Sequence, residues 1–146
     1  VMTNSAYDAN NIFAKILKGE IPSVKVYEDD DALAFMDVMP QAPGHLLVIP
    51  KIGSRNILDA DPAVLSKLLP LIQKLAHAVK DAFEADGILI NQFNEPAAGQ
   101  TVFHLHFHII PRHQGMGLKP HAGGMEKVDV LEANAAKIRD ALQESP

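Results

Sequence analysis

The chain has 146 residues, long enough to bury a core within one domain, and its 47% hydrophobic and 21% charged residues have the balance of an ordinary soluble globular protein. With 13 Lys and Arg against 18 Asp and Glu the formal charge is -5, which argues against a general nucleic-acid binder but leaves room for a small phosphate held by local donors. There is no cysteine, so disulfides and thiolate-bound metals are excluded.

Residues 1–10 are expected to form a disordered tail; VMTNSAYDANN lacks the basic and apolar regions of a signal peptide. No apolar run reaches bilayer length, so the expectation is a cytoplasmic protein without a membrane partner. IFAKILKG reads as a short helix, with Ile12, Phe13, Ile16 and Leu17 on one stripe and Gly19 at its end. VKVYEDD and DALAFMDV read as two strands of a hairpin. MPQAPG cannot be sheet interior, and HLLVIP restarts a strand at His45. Asp61 and Pro62 have the character of an N-cap and a first helical residue. The long helix they open should kink or split at Pro70. GILINQF is a strand, NEPAAGQ a turn, and TVFHLHFHII the longest strand candidate. An irregular loop is expected from Pro111 to Gly124, and a final helix opens with Asp129 and Glu132 in capping-box positions. The order implies a single α+β domain over 1–146 on a mainly antiparallel sheet of about five strands, with a C-terminal loop and helix over 111–146.

His104, His106 and His108 alternate with Leu105 and Phe107, so on a strand the three rings share one face while Phe103, Leu105, Phe107 and Ile109 enter a core. A solvent-facing polar row would be better served by Thr, Lys or Glu. A metal site ranks below phosphate chemistry. Cα atoms four apart on a strand lie roughly 13 Å apart at ~3.3 Å per residue, too far for three rings to meet one ion at ~2.0–2.1 Å. No carboxylate follows the motif closely, and there is no HExxH helix. A neutral imidazole is a competent nucleophile, and His106 is bracketed by two potential hydrogen-bond donors, with AAGQT ahead of it to supply backbone N–H groups.

HLHFHII resembles the signature of the histidine triad (HIT) family of nucleotide hydrolases and transferases. The resemblance runs from IFAKILKGEIPSVKVYEDD through FMDVMPQAPGHLLVIPK to NEPAAGQTVFHLHFHIIPR, and it is nearest to the phosphoramidase-like (Hint-type) branch in its bacterial style. It implies the HIT-like fold, with a central helix and flanking N- and C-terminal helices, and a homodimer paired through that helix and a strand. It implies hydrolysis of purine nucleoside phosphoramidates or acyl-adenylates to AMP. His106 would be the nucleophile, its Nδ1 held by a main-chain carbonyl. His108 would contact phosphate oxygens, His45 is the fourth active-site histidine, and His104 supports its neighbours. Asp37 matches the ribose-binding acid, and Phe13, Ile16, Ile21, Phe35 and Val38 match the positions around the base. Asn94, Gly99 and Thr101 match the phosphate side, with Asn91 and Gln92 as competitors for the first of these. No cofactor is implied.

Many bacterial relatives hold a structural zinc through a CxxC pair, a histidine after the VIPK strand and the first histidine of the triad. Here Asn11, Ala14 and Gly53 stand at the first three of those positions, so no zinc is expected, and His104 is left to hydrogen-bond. His77, His113, His121 and Arg112 are read as ordinary surface or loop residues, although the loop could reach over the pocket of a partner subunit. The rival readings are a dinucleoside polyphosphate hydrolase of the same fold and a nucleotide- or partner-binding protein whose catalysis is incidental.

Overall fold

The computed structural model describes residues 7–121 and 123–144. Helix α1 (Ile12–Leu17) is capped by Asn11, whose side chain accepts the Ala14 N–H at 2.9 Å. Strands β1 (Lys25–Glu28) and β2 (Ala32–Met36) form the expected antiparallel hairpin. Asp29 shapes its turn by accepting the N–H groups of Asp31 and Ala32, both at 2.8 Å. Then follow β3 (Leu46–Pro50), α2 (Pro62–Ala82), β4 (Gly87–Asn91), β5 (Phe107–Arg112) and α3 (Val128–Glu144). The five strands make one antiparallel sheet in the order β1-β2-β3-β5-β4.

Side-chain alternation gives the sheet two unlike faces. Ala34, Met36, Leu46, Val48 and Ile109 meet Leu68, Ile72, Leu75 and Val79 of α2 and Leu131, Ala135 and Ile138 of α3 in the main core. Leu33, Phe35, Leu47 and Ile49 meet Phe13 and Ile16 of α1 in a smaller one. Because α1 is only six residues long, it covers part of that second face and leaves the rest open for a site.

Four expectations need correction. Helix α2 is not split at Pro70 but runs as one helix from Pro62 to Ala82. An interior proline costs about 3 kcal/mol, whereas burying Leu68, Ile72, Leu75 and Val79 on one stripe contributes about 1.5–3 kcal/mol for each large side chain. The triad strand is shorter than expected: it begins at Phe107, so only His108 of the three histidines lies in the ladder. Upstream, Leu105 N–H donates to Ser54 O at 2.9 Å, and Gln100 Nε2 donates to Val102 O at 3.1 Å, replacing strand pairing with loop contacts. Helix α3 starts at Val128, so Asp129 is already helical, and Glu132 pairs with Arg139 at 3.3 Å instead of closing a capping box. Finally, Tyr7, within the expected tail, is tied to the fold by its hydroxyl's contact with His104, while residues 1–6 lie outside the described residues. None of the described helices is long and apolar enough to cross a membrane.

Candidate active site

Phe35, Leu47, His108 and Asn91 are register partners across β2, β3, β5 and β4, forming one row over the half-covered face. His45 immediately precedes β3, and the loop leading to it turns at Gly44, where φ is +94°. Asp37 stands at the other end of that loop and donates its N–H to His45 O at 3.0 Å. His45, His104, His106 and His108 are all buried.

Their hydrogen bonds fix the tautomer of each ring, assigned from the network. Gln41 N–H donates to His45 Nδ1 at 3.0 Å, so the His45 proton sits on Nε2. That Nε2–H faces His108 Nδ1 at 2.8 Å, which places the His108 proton on its own Nε2. His108 Nε2 is buried and has no partner among the described residues, so a donor is left aimed into the site. Asn91 Oδ1, its cross-strand neighbour, is an equally unpartnered acceptor. His106 Nδ1–H donates to the backbone carbonyl of His104 at 2.7 Å, and the lone pair on Nε2 is the free end of that ring. Phe13 packs edge-on against His106, with ring centroids 4.9 Å apart. His104 Nε2–H donates to Pro50 O at 2.9 Å, and its Nδ1 accepts the Tyr7 hydroxyl at 2.7 Å.

Burial keeps these imidazoles neutral. Loss of solvent pulls His45 and His108 down to about 3 and His106 to about 4, and it lowers His104 as well; nearby histidines add to the effect on the first three. Burial likewise raises the Asp37 carboxyl above its ordinary value, against the Met39 N–H that it accepts at 2.8 Å. A neutral His106 with its Nδ1 proton held by a carbonyl is a nucleophile in its reactive form near pH 7.

Asp37, His45 and His108 bring three potential ligand atoms within 4.8 Å of one another. They do not fit a metal, because Nε2 of His45 carries the proton that Gln41 forces onto it and stands 2.8 Å from the ring it would have to share. The zinc position of bacterial relatives is filled differently. Tyr7 OH accepts from Asn11 Nδ2 at 3.0 Å while donating to His104, and a Cβ on Gly53 would collide with the Tyr7 ring. A tyrosine thus joins the residues at three of the four zinc-ligand positions.

Around the histidines, Phe13, Ile16 and Phe35 are buried together, with Ile21 at their rim, while Val38 is exposed and outside that cluster. Asp37 turns one oxygen to Met39 N–H and the other, at 3.4 Å, toward His45 Nε2. The phosphate-side residues are more committed than their spacing suggested. Asn94 Oδ1 accepts from Ile57 N–H at 2.9 Å and Gln92 Nε2 at 2.8 Å, and its Nδ2 donates to Gln92 Oε1 at 2.9 Å. Gly99, left-handed at φ +101°, donates its N–H to Pro96 O at 3.0 Å, and Thr101 is exposed.

Two residues had been given no role in the site. Gln100 is buried and ties the turn to the loop after β3: it accepts from Asn56 Nδ2 at 3.0 Å and Glu95 N–H at 2.8 Å and donates to Arg55 O at 2.7 Å. A glutamine beside a glycine carries no signal in isolation that it will be buried. His121, read as loop, lies against His108 with ring centroids 5.7 Å apart. The long-range contact that places it has no periodic signature in sequence.

Residues 18–115 match the family model of the HIT domain. The chain belongs to the HIT family. A HIT-like protein of Bartonella henselae of known structure is 62% identical, superposes with a TM-score of 0.88, and the match covers 93% of this chain and 99% of that one. The protein hit of Bacillus subtilis is 41% identical over 132 residues, 87% of this chain and 91% of its own length. An adenylylsulfatase of Arabidopsis thaliana is 38% identical over 101 residues, 68% of this chain but only 51% of that protein. HIT proteins are nucleotide-binding hydrolases and transferases.

Proposed function

We propose that this HIT protein hydrolyses purine nucleoside phosphoramidates or acyl-adenylates to AMP through a covalent nucleotidyl-histidine on His106. The observation that carries this is the pairing of one free lone pair with one free donor. Nε2 of His106 is left as a nucleophile by the His104 carbonyl at 2.7 Å, and Nε2–H of the adjacent His108 is buried without a partner among the described residues. A phosphate between them receives attack from the first and a hydrogen bond from the second, and that bond strengthens as charge develops on oxygen. His45 holds His108 in the donating tautomer, and His104 supports His106 through its backbone. Phe13, Ile16, Ile21 and Phe35 offer an apolar wall for a base, and the Asp37 oxygen not held by Met39 suits a ribose diol. The adenylylsulfatase relative supports an adenylyl donor with a good leaving group.

A second copy of the chain is the expected partner. A groove of about 650 Å³ between α2 and the outer strand β4 is lined by Leu69, Pro70, Gln73, Ala76 and Ile90, and Leu69 and Ile90 are exposed. Pairing two β4 edges about a twofold axis would cover both the free ladder groups and this groove.

The test is trapping. After incubation with an adenosine phosphoramidate, intact mass should show one AMP added, mapping to His106, and His106→Ala should give none while remaining folded. Labelling at another residue, or undiminished turnover in the variant, would remove the nucleophile. Diadenosine tetraphosphate assayed in parallel separates the polyphosphate hydrolase; AMP binding with no adduct from either donor would favour a binding protein.

A further inference from the structure

The segment after β5 folds back over the site and is fastened to the loop that carries the ring-holding groups. Lys119 N–H donates to Gln41 O at 2.9 Å, Gln41 Nε2 donates to Lys119 O at 3.2 Å, and Glu126 N–H donates to Val38 O at 2.8 Å. Gln41 is the residue whose own N–H sets the His45 tautomer. Anchored there, the imidazole of His121 stands edge-on to His108 at 5.7 Å and to Phe93 at 6.5 Å. Since His106 and His108 are 5.2 Å apart, His108 has His106 as one ring neighbour and His121 as another.

The nucleophile's departure partner needs a proton, and the buried rings cannot deliver one. His106 uses Nε2 for attack and Nδ1–H for the His104 carbonyl. Both nitrogens of His45 and of His104 are engaged. His108 has one outward N–H, which the phosphate oxygens take, and burial prevents it from carrying a second proton near neutral pH. His121 is exposed at the edge of the same site. In-line displacement puts the leaving atom on the side of phosphorus away from His106; with the phosphate oxygens on His108, His121 is the ring beside His108 that remains to serve the leaving atom.

We propose that His121 is the catalytic acid and base of this site, an inference that rests on the nucleotidyl-histidine reading above. In the first step Nε2 of His106 forms a bond to phosphorus, and the bond from phosphorus to the leaving nitrogen or oxygen breaks. The leaving atom keeps the electron pair and takes a proton from His121. In the second step water attacks phosphorus, the bond to His106 breaks with its electron pair returning to Nε2, and the water's proton passes to His121, restoring it.

A comparison of leaving groups tests this. His121→Ala and His121→Gln are assayed with an alkylamine phosphoramidate of AMP, whose amine cannot leave unprotonated, and with the 4-nitrophenyl ester of AMP, whose phenolate can. General acid catalysis contributes typically 10²–10⁴-fold, so kcat/KM on the phosphoramidate should fall by about 10²-fold or more in both variants. On the ester kcat/KM should be nearly unchanged, with the His106 adduct accumulating because its hydrolysis has lost the base. Equal losses on the two donors, or no loss on either, would overturn the assignment. Failure of the unaltered protein to form a His106 adduct from the ester is a separate result, and it rejects the nucleotidyl-histidine reading itself.

Discussion

The hydroxyl of Tyr7 lies 2.7 Å from Nδ1 of His104, ninety-seven positions away in the chain, and the carbonyl of that same His104 holds Nδ1–H of His106. A residue at the start of the described chain therefore braces His106 through one intermediate. Tyr7→Phe keeps the ring that packs beside Gly53 but leaves a buried acceptor unpaired, a change that costs about 1–3 kcal/mol of stability. We expect kcat to fall while KM changes little, and ¹⁵N imidazole spectra to show His106 shifting from the pure Nδ1–H tautomer to a mixture. An unchanged His106 spectrum in a stable variant would confine Tyr7 to packing.

The buried rings set the direction of the pH dependence. A histidine whose ordinary value of 6.5 falls to about 3 or 4 on folding takes up its proton more readily when unfolded. Its neutral burial is fully compatible with folding above the unfolded value, and stability is lost as pH falls from about 6.5 towards the folded value, at about 1.4 kcal/mol per pH unit for each ring. Asp37, raised on folding, acts in the opposite direction at lower pH. Urea midpoints measured from pH 8 to pH 4.5 should therefore drop steadily below about pH 6.5, and a His45→Gln variant should show a shallower slope. A flat profile would mean that the rings are not buried neutral.

Much of this arrangement was legible in the chain because it rests on local rules. The N-cap at Asp61 and the five strands follow from capping chemistry and alternation, whereas the cap at Asn11 and the turn at Asp29, which lay inside an expected strand, were not read. The alternating histidines pointed to the site, but the inference that one strand presents all three was too simple. His104 and His106 precede the ladder, and their rings are placed by Pro50, Tyr7 and a backbone carbonyl, none of which has a sequence period. Gln100 shows the same limit: it was given no role, and the partners that bury it are distant in sequence.

Gly44 is the position where backbone and packing restrict the site together. Its φ of +94° disfavours any side chain, and a Cβ there would approach the Phe83 ring to 2.6 Å. Gly44→Ala should cost about 2–4 kcal/mol, the sum of backbone strain and overpacking. Because the next residue is His45, the loss should extend to AMP affinity measured by calorimetry at a temperature where the variant is still folded. Wild-type stability in the variant would show that the loop can turn another way.

The outer edge of the sheet offers the remaining prediction. Strand β4 pairs with β5 on one side only, and Ile90 and Leu69 stand exposed beside the groove between this strand and α2. Joined about a twofold axis, two copies would extend the ladder and bury both side chains, a combination that a monomer leaves in water. Placing like charges there opposes burial directly, since unpaired ions in an apolar interface are strongly disfavoured. Sedimentation equilibrium should give a dimer for the unaltered chain and a monomer for Leu69→Glu with Ile90→Glu, with secondary structure retained in both. A dimer that survives the double substitution would place the interface elsewhere on the molecule.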